Sequence, residues 1–543
     1  MSILPTSTII LCGAPINYAQ LPMGTNHSNA MVPINGKPVI GWILDDLIEK
    51  QIRSVVVVMR SEDVRFRSFL ERAYAGRLSL KLVGLSVSPS ILTSLKAGLG
   101  ACDTEGLVRI VLGDTLIRES YEGDKDFVYV AEVKDSRRWC LAVTSQNGQI
   151  VEYIDKQVLP GVSHQALAGY YHLQHARDLI KCVDESIVAG KRELSFALRL
   201  YGDRHPIEAK PVKDWYDFGH IDTIVDARRK LLRPRSFNSL SVNPVLNTIT
   251  KVSTYDAKLQ DELDWYLSIP DDLKVLVPRL LSTERHNSKI QIVQEYYGYP
   301  TLAELYVYGE FDPETWGSIL RLVLRVHQEF RRYPGTISPD VIHTMYFRKT
   351  WDRLALLQGQ SADWQEILSR AGITYNGRTL KGFNQLRDEV YSRVQFLGSN
   401  APIAIMHGDY CFSNVLFDPN NQIIRLIDPR GSFGTKGIYG DTRYDIAKLR
   451  HSVAGLYDFI VADMFELTEL DGGYQSKVYA NEACATVSSL FDSMIAEIGY
   501  DVSEIKFIEG LLFVSMIPLH NGHPQRQKMM YLTGLALLNE VLE

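Results

Sequence analysis

Three side chains with the chemistry of phosphoryl transfer follow one another in the C-terminal half of this 543-residue chain. Asp409 comes directly after a His-Gly pair, Asn414 lies five positions later, and Asp428 follows the mostly apolar residues 424–427. Transfer of a phosphoryl group to a hydroxyl requires a carboxylate near the attacking oxygen and oxygen ligands for magnesium. The spacing therefore predicts a site in which Asp409 serves the hydroxyl, while Asn414 and Asp428 bind Mg²⁺.

The sequence around these residues resembles the aminoglycoside phosphotransferase and choline kinase family. The pattern H-G-D-x-x-x-x-N followed by I-D is present at residues 407–414 and 427–428. The resemblance implies an ATP-dependent kinase with a small-molecule hydroxyl acceptor, in which Asp409 is the catalytic base and His407 braces the loop at the nucleotide site. A later G-D-x-x-Y-D-x-A segment would supply Asp441 and Asp445 as structural supports beneath the active site.

A kinase of this kind also needs a lysine on a strand, held by a glutamate on the next helix. Lys251 lies in a predicted strand, and Glu262 lies in the predicted helix that follows it. Glu295, at the end of another predicted strand, resembles the hinge at which adenine binds. Residues 237–246 contain no glycine, so the glycine-rich phosphate loop of such kinases is absent and other backbone groups must cover the phosphates.

The N-terminal part of the chain carries five short segments in a recognisable order: I-I-L-C-G, M-V-P-I-N-G-K-P-V-I, L-G-D, L-A-G-Y-Y and W-Y-D-F-G. This order resembles the sugar-nucleotide nucleotidyltransferases. The resemblance implies a doubly wound sheet, a nucleoside triphosphate substrate (CTP, UTP or GTP) and Mg²⁺ bound by Asp114 and Asp217. Gly13, after the first strand, would let the backbone approach the nucleotide closely.

Two cationic positions of that second family are missing. Residues 13–24 contain no arginine, and Asn29 stands where the resemblance leads us to expect a lysine. Loss of two positive contacts to a triphosphate slows turnover by orders of magnitude unless Lys37, Lys156 or Lys213 compensates, and Lys37 is expected to be a solvated turn residue. An active nucleotidyltransferase and a nucleotide-binding or scaffolding remnant therefore both stay open.

The elements that must position these residues indicate two domains. Short apolar runs alternate with amphipathic stretches up to residue 232, which predicts an α/β domain with a mainly parallel, doubly wound, Rossmann-like sheet. A proline among basic residues at 230–235 predicts a short linker. Residues 236–543 are predicted to form a bilobal, protein-kinase-like α+β domain, with a small lobe at about 236–300 and a large lobe at about 301–543. The predicted strands are residues 9–11, 55–59, 80–83, 108–112, 248–252 and 290–295, and the predicted helices are 39–50, 64–74 and 91–99.

Composition excludes several classes of protein. A net charge of -6 without a block of one sign argues against nucleic acid binding. Six cysteines lie far apart with no C-x-x-C pair, which argues against structural zinc and favours a reducing compartment. Residues 7–11 are too short for a membrane span and lack the basic flank of a signal peptide, so we expect a cytoplasmic protein without membrane insertion. The sequence leaves open whether the chain forms a homo-oligomer.

These observations predict a bifunctional enzyme that makes a nucleotide-activated precursor. The kinase half would phosphorylate a sugar, an amino alcohol or a related hydroxyl compound, and the other half would join that phosphate to a nucleoside monophosphate and release pyrophosphate. The resemblance connects such pairs with bacterial surface polysaccharides. Two alternatives are a kinase whose first domain only binds a nucleotide or a partner, and an antibiotic-inactivating kinase, which has no evident use for the first domain.

Overall fold

The computed structural model describes residues 6–14, 28–87, 89–103, 105–161, 163–231, 238–253, 256–286, 289–309 and 311–543. The chain divides into two compact units, Met1–Leu231 and Leu232–Glu543. Across the described residues, no helix combines the length and the apolar character that a bilayer span requires.

The first unit is a mixed α/β structure built on a nine-stranded sheet. The strands of the unit, in this sheet and in the two-stranded sheets β2–β3 and β7–β13, are β1 (Thr6–Leu11), β2 (Pro33–Ile34), β3 (Lys37–Pro38), β4 (Ser54–Arg60), β5 (Ser79–Leu85), β6 (Leu107–Leu112), β7 (Thr115–Ile117), β8 (Phe127–Val133), β9 (Cys140–Thr144), β10 (Ile150–Asp155), β11 (His164–Leu173), β12 (Glu208–Pro211) and β13 (Trp215–Asp217). Its helices are α1 (Val39–Glu49), α2 (Val64–Tyr74), α3 (Ile91–Leu99), α4 (Ala176–Val188), α5 (Leu194–Gly202) and α6 (Ile221–Lys230), with a short 3-10 helix at Asn29–Met31.

Half of this sheet is parallel, as predicted. The neighbours β6, β1, β4 and β5 all run in one direction. The central residues of β1 and β4 are continuously buried, as in a parallel sheet whose two faces are covered by helices. The predicted strands and helices of this half match β1, β4, β5, β6, α1, α2 and α3 within a few residues at each end.

The other half of the sheet departs from the prediction. Strand β11 pairs antiparallel with β6, β8 and β9, and β9 pairs antiparallel with β10. The β9–β10 connection is a tight turn containing Asn147-Gly148, with Gly148 at φ +76°. A short connection of this kind joins antiparallel strands, whereas a parallel pair needs a long crossover.

The second unit begins with a four-stranded antiparallel sheet in the order β14-β15-β17-β16 and one helix packed on it. These elements are β14 (Asn238–Asn243), β15 (Thr248–Ser253), β16 (Leu280–His286), β17 (Lys289–Glu295) and α7 (Asp256–Ser268). Leu259 and Leu263 of α7 form a small core with Ile290 and Ile292 of β17. Helix α7 therefore packs on the sheet, in which β15 is an inner strand held by its neighbours on both sides.

The remainder of this unit is mostly helical. Its helices are α8 (Leu302–Tyr308), α9 (Pro313–Arg331), α10 (Pro339–His343), α11 (Lys349–Gln360), α12 (Ala362–Ser369), α13 (Arg387–Ser399), α14 (Thr442–Val453), α15 (Tyr457–Val461), α16 (Ala483–Glu497), α17 (Val502–Met516) and α18 (Pro524–Leu542). Short helical turns lie at Lys274–Leu276, Phe383–Leu386, Phe412–Asn414 and Ile517–His520, and a π-helix lies at Thr344–Arg348.

Short strands interrupt these helices and carry loops of interest below. They are β18 (Gly372–Tyr375), β19 (Arg378–Lys381), β20 (Ile403–Ile405), β21 (Val415–Asp418), β22 (Ile423–Leu426), β23 (Ser432–Phe433), β24 (Thr435–Lys436), β25 (Tyr439–Asp441), β26 (Phe465–Leu470) and β27 (Gly473–Val478). The hairpin β21–β22 lies between residues 409–414 and residue 428 in the sequence. Because Val415 pairs with Leu426, the hairpin brings these residues close together in space.

All six cysteines are free thiols, four of them buried and two half-buried. Burial raises the pKa of Cys12, Cys102 and Cys182, and it raises the pKa of Cys411 to about 12. These thiols are therefore held in the protonated form at neutral pH.

Candidate functional sites

Two aspartates of the first unit meet at the ends of neighbouring strands. Asp217 ends β13, which pairs antiparallel with β7 so that Asp217 lies opposite Thr115. The N–H of Phe218 donates to the carbonyl of Asp114 over 2.8 Å. Burial and the nearby charge of Asp217 raise the pKa of Asp114 to about 6. The electrostatic repulsion between two neighbouring carboxylates falls when a divalent cation lies between them.

Asp217 is fixed by three donors from its own turn. His220 Nδ1 lies 2.7 Å from Asp217 Oδ2, Thr223 Oγ1 donates to the same oxygen over 3.0 Å, and the Gly219 N–H donates to Oδ1 over 3.0 Å. The ring of Trp139 lies 5.0 Å from the ring of His220. The carboxylate therefore has a defined orientation beside an aromatic wall.

Asn29 holds Asp114 from the other side. Its Nδ2 donates to Asp114 Oδ2 over 2.8 Å. Its Oδ1 is buried and accepts no hydrogen bond from any described residue. The short 3-10 helix that carries it is capped by Ser28, whose hydroxyl also donates to the Cys12 carbonyl. Because the Asn29 amide nitrogen faces Asp114, its oxygen points elsewhere, and the hard oxygen donors that fit Mg²⁺ here are those of Asp114 and Asp217.

The predicted substitutes for the missing cations lie in different settings. Lys37 is only 7% exposed and forms an ion pair with Asp45, so the prediction of a solvated turn residue is wrong. The apolar surroundings supplied by Trp42 favour that burial, because the ammonium lies 5.0 Å from the indole ring. Lys156 and Lys213 are exposed.

Gly13 lies directly after β1. The preceding residue, Cys12, donates its N–H to the Val58 carbonyl, and the following residue, Ala14, accepts from the Asn29 N–H. These contacts place the Gly13 backbone at the end of the central parallel strands, on the chain segment that leads to Asn29. The rest of the predicted loop, residues 15–24, lies outside the described residues.

In the second unit, Lys251 contacts Glu262, its predicted partner, and also contacts Asp428, the predicted magnesium ligand. It lies on the central strand β15, and its Nζ is 2.7 Å from Glu262 Oε1 on α7 and 2.5 Å from Asp428 Oδ1. Burial opposes the charge of the ammonium, but Asp428 and Glu262 outweigh it and raise the pKa of Lys251 above its usual range. The lysine is therefore a cation fixed between two carboxylates.

The loop that carries Asp409 is bound to helix α14. The backbone N–H groups of His407 and Gly408 donate to the Asp445 carboxylate over 2.7 and 2.9 Å. The His407 ring is fully buried, accepts from the Asp409 N–H over 3.3 Å and packs edge-on against Trp265. Burial lowers the pKa of His407 to about 4. The ring is thus placed to brace the loop rather than to touch a nucleotide.

Asp409 has a partner for each of its carboxylate oxygens. Asn414 Nδ2 donates to Asp409 Oδ2 over 3.1 Å and to the Asp409 carbonyl over 2.9 Å. Lys448 Nζ lies 2.9 Å from Asp409 Oδ1. Because the Asn414 amide nitrogen faces Asp409, its oxygen points elsewhere, and no described residue donates a hydrogen bond to that oxygen.

Asp428 follows the hairpin in a strained conformation. Its φ is +57°, in the left-handed region that residues other than glycine rarely adopt. The neighbouring Ile427 N–H donates to the Asn414 carbonyl over 3.0 Å, which links this turn to the Asp409 loop. A Cβ on Gly431, at φ +63°, would lie 1.9 Å from the Asp261 carbonyl oxygen of α7. The turn therefore packs directly against the helix that carries Glu262.

The described structure thus brings Lys251, Glu262 and Asp428 into direct contact, and it brings Asp409 and Asn414 into direct contact beside them. Glu295 lies apart from this group at the end of β17. Its carboxylate accepts from the Tyr297 hydroxyl over 2.8 Å and from the Arg279 N–H over 3.2 Å. The Asn414 and Asp428 oxygens fit Mg²⁺, a cation that prefers such ligands.

Lys448 is a residue of this site that sequence reasoning missed. It lies three positions after Asp445 on α14, so both side chains project from one face of the helix. Asp445 binds the backbone of the Asp409 loop, and Lys448 binds the Asp409 side chain. The three-residue spacing of Asp445 and Lys448 was the only feature of the sequence that linked Lys448 to the site. It becomes informative only when α14 is known to lie under the Asp409 loop.

No protein-family model matches this chain, and no curated protein matches it. Solved structures match its N-terminal part. A protein assigned as a glucose-1-phosphate thymidylyltransferase from Bacillus anthracis, solved in complex with a sucrose, is 18% identical, covering 42% of this chain and 98% of its own with a TM-score of 0.37. The CTP:phosphocholine cytidylyltransferase of Streptococcus pneumoniae is 15% identical, with coverages of 42% and 99% and a TM-score of 0.36. HddC from Yersinia pseudotuberculosis is 14% identical, with coverages of 42% and 99% and a TM-score of 0.35. These identities and scores leave the function of this chain to be argued from its own geometry.

Proposed function

We propose that the second unit is an ATP-dependent kinase for a small-molecule hydroxyl group. The observation that carries this proposal is the contact of Lys251 with both Glu262 and Asp428, beside the hydrogen-bonded pair of Asp409 and Asn414. A fixed lysine, a strand-end aspartate, an asparagine and an oriented carboxylate are the components that phosphoryl transfer needs.

In this proposal each residue has a separate task. Asp409 accepts the proton of the acceptor hydroxyl, while the oxygen of that hydroxyl bonds to the γ-phosphorus and ADP leaves. Lys251 exchanges part of its contact with Asp428 for the phosphates of the nucleotide. Magnesium, held by Asn414 and Asp428, would supply charge neutralisation on those phosphates.

The kinase assignment is tested by incubating the full chain with Mg²⁺, ATP and a panel of hydroxyl compounds while ADP release is followed. We expect one class of acceptor to accelerate ADP release, and we expect Lys251→Met to remove that acceleration. Lys258→Met, on the same helix-and-strand layer, is the control. Equal ADP release with and without every acceptor would overturn the assignment.

We propose further that the first unit is a nucleotidyltransferase that joins the phosphorylated product to a nucleoside monophosphate. Asp114 and Asp217 would hold Mg²⁺ at the triphosphate, where the cation would neutralise the α-phosphate under attack. The combined product is a nucleotide-activated precursor of the kind used for bacterial surface polysaccharides. Pyrophosphate release from CTP, UTP or GTP in the presence of the kinase product measures this step.

One observation favours a second candidate function, a kinase whose first unit binds nucleotide without turnover. Asn29 places a neutral amide on Asp114 where a cation would stabilise the developing negative charge. In that case nucleotide binds to the chain, pyrophosphate never forms with any nucleotide, and Asp114→Ala leaves ADP release unchanged. Pyrophosphate formation that Asp114→Ala abolishes would instead establish the active transferase.

A further inference from the structure

Four cationic side chains surround one buried tyrosine beside the proposed catalytic base. Lys349 and Arg353 lie on α11, Arg430 follows Asp428 in the next turn, and Lys448 lies on α14 together with Tyr444. We call these five residues the Tyr444 cluster. Lys349, Arg353 and Arg430 are half-buried, so part of each side chain is open to solvent.

The cluster is held together by contacts that leave most of its positive charge uncompensated. Arg430 Nη1 donates to the Tyr444 hydroxyl over 2.8 Å, and Lys349 Nζ lies 5.9 Å from the centre of the Tyr444 ring. Arg353 Nη1 donates to the carbonyl of Ser515 over 2.7 Å. Within the described parts of the chain, no carboxylate lies at ion-pair distance from Lys349, Arg353 or Arg430.

The acidic groups near the cluster are already engaged. Asp409 is bound by Asn414 and Lys448, and Asp445 accepts two backbone N–H groups of the loop. Asp458, near Lys448, is 6% exposed, and burial raises its pKa to about 6. His520 lies in the helical turn just before α18, and its pKa is lowered to about 4 by burial and by the charge of Arg526. Tyr444, and after it Asp409 and Asp445, raise the pKa of Arg430 above its usual range, but neither carboxylate forms an ion pair with Arg430.

The excess charge is visible in the tyrosine itself. Burial alone would raise the pKa of Tyr444, yet Lys349, Arg430 and Lys448 lower it to about 7. Burial and then Arg430, Arg353 and Lys448 lower the pKa of Lys349 to about 8, against the pull of Tyr444. Like charges packed at this density repel one another, and a bound anion relieves that repulsion.

An irregular element precedes the helix that carries two of these cations. The π-helix Thr344–Arg348 immediately precedes Lys349, so α11 begins after a widened turn. Short π segments interrupt helices mostly where a side chain must be re-aimed at a functional site. Arg353 follows Lys349 by four residues on α11, and both therefore project from one face.

We propose that the acceptor of the kinase carries an anionic group, a carboxylate, phosphate or phosphonate, that binds among Lys349, Arg353 and Arg430 while its hydroxyl lies at Asp409. This inference rests on the proposed kinase function and specifies its substrate class. The guanidinium groups of arginine bind such anions through paired N–H donors. The anionic group is unchanged in the reaction: the acceptor oxygen bonds to the γ-phosphorus, the bond to ADP breaks, and the hydroxyl proton passes to Asp409. A cationic acceptor is disfavoured by the same charges.

The first test compares acceptors of matched size and different charge on the full chain with ATP and Mg²⁺. The probes are glycerate, glycerol 3-phosphate and 2-hydroxyethylphosphonate as anions, glycerol as the neutral compound, and serinol and choline as cations. We expect kcat/KM for at least one anion to exceed that for glycerol by about 10-fold or more, the scale of one charge-assisted hydrogen bond, and the anion that wins identifies the group. Preferred phosphorylation of glycerol or of a cation would overturn the inference and leave the kinase function standing.

The second test uses Lys349→Met with Arg348→Met as its neighbour control. Arg348 is exposed and pairs with Asp340, outside the cluster. We expect Lys349→Met to raise KM for the anionic acceptor by about 10-fold with KM for ATP unchanged, and Arg348→Met to alter neither. A rise in KM for ATP alone would assign the cluster to the nucleotide and overturn the inference. ADP release that no probe accelerates, and that Asp409→Asn does not change, would overturn the kinase function itself. If Lys349→Met does not fold, the comparison of acceptors on the unmodified chain decides.

Discussion

The Asp409 carboxylate is oriented by two neighbours that bind different oxygens. Asn414 holds Oδ2 from within the loop, and Lys448 holds Oδ1 from helix α14. A carboxylate fixed in this way needs little reorganisation when a hydroxyl approaches, which is the condition that efficient proton transfer requires.

Asp409→Asn tests this role directly. The amide keeps the size of the side chain but cannot accept the hydroxyl proton, so we expect kcat for ADP release to fall by about 100-fold or more while KM for ATP changes little. Asp388→Asn, an exposed residue of α13, is the control. A fall in kcat that is smaller than about threefold would show that another group takes the proton.

The pKa of Asp114 gives the first unit a dependence on pH. Burial and Asp217 raise that pKa to about 6, and only the ionised carboxylate binds a divalent cation. We therefore expect affinity for Mn²⁺, a spectroscopic substitute for Mg²⁺, to be full above this pH and to weaken as pH falls through about 6. Titrations of the full chain at pH 7.5 and pH 5.5 measure the change, with Asp114→Asn as the reference for this site. Equal affinity of the Asp114-dependent site at both values would contradict it.

The residues of the kinase site could be predicted from sequence only where type and order are diagnostic. Asp409, Asn414 and Asp428 lie within one short stretch of the chain, and Lys251 and Glu262 belong to one strand–helix pair. Lys448 was not predicted as a site residue because its contact with Asp409 arises from the packing of α14 beneath the loop, and Lys349 was not predicted because it reaches Tyr444 from a separate helix, α11. No local pattern in the sequence encodes that packing.

At the scale of elements, the Asp428 turn and helix α7 form one joint. Gly431 lies so close to the Asp261 carbonyl that no side chain fits. Lys251 links the same two elements, because it contacts Glu262 of α7 and Asp428 of the turn. Displacement of this turn would therefore move the proposed magnesium ligand away from the lysine.

Gly431→Ala and Gly359→Ala should have opposite effects. At Gly431 a methyl group meets backbone and the φ of +63° is unfavourable, so we expect a loss of at least about 2 kcal/mol in the free energy of unfolding together with lost kinase activity. Gly359 lies in α11 with nothing within 4 Å of a new Cβ, and alanine there should stabilise by about 0.5–1 kcal/mol. Urea unfolding measures both, and equal stability of the two variants would contradict this account of the joint.

The elements themselves were predicted where hydrophobic pattern decides. Continuous apolar runs gave β1, β4 and β6, since strands buried on both faces of a parallel sheet have no polar side. The antiparallel half was missed, although Asn147-Gly148 is a hairpin signal. Strand order depends on long-range pairing, which periodicity does not reveal.

At the scale of the whole molecule, four histidines among the described residues have no exposed surface, namely His172, His327, His407 and His451. Burial lowers the pKa of His172 and His407 to about 4, and of His327 and His451 to about 3. The unfolded chain binds protons at these residues below its ordinary pKa of about 6.5, whereas the folded chain does not. Their contribution to stability is therefore present above this pH and is lost as pH falls from about 6.5 toward 4 and 3.

Between pH 6.5 and pH 5 we expect each buried histidine to lower the free energy of unfolding by about 1.4 kcal/mol per pH unit, while buried carboxyls with raised pKa values, such as Asp114 and Asp458 at about 6, oppose that fall. His327→Phe removes one such group and should make the slope shallower, although it also breaks the contact with Tyr500. His523→Phe, at an exposed position, should leave the slope unchanged. Urea unfolding at three pH values measures the slopes, and identical slopes for His327→Phe and the unmodified chain would contradict the assignment.

The protonated, enclosed thiols have a practical consequence for studying the two units. Reagents such as maleimides attack the thiolate, so the native cysteines should react slowly with them as long as the chain is folded. A pair of cysteines introduced on the surface, one in each unit, could then carry fluorophores without removal of the natural ones. Energy transfer between such labels would report whether nucleotide binding changes the separation of the two units.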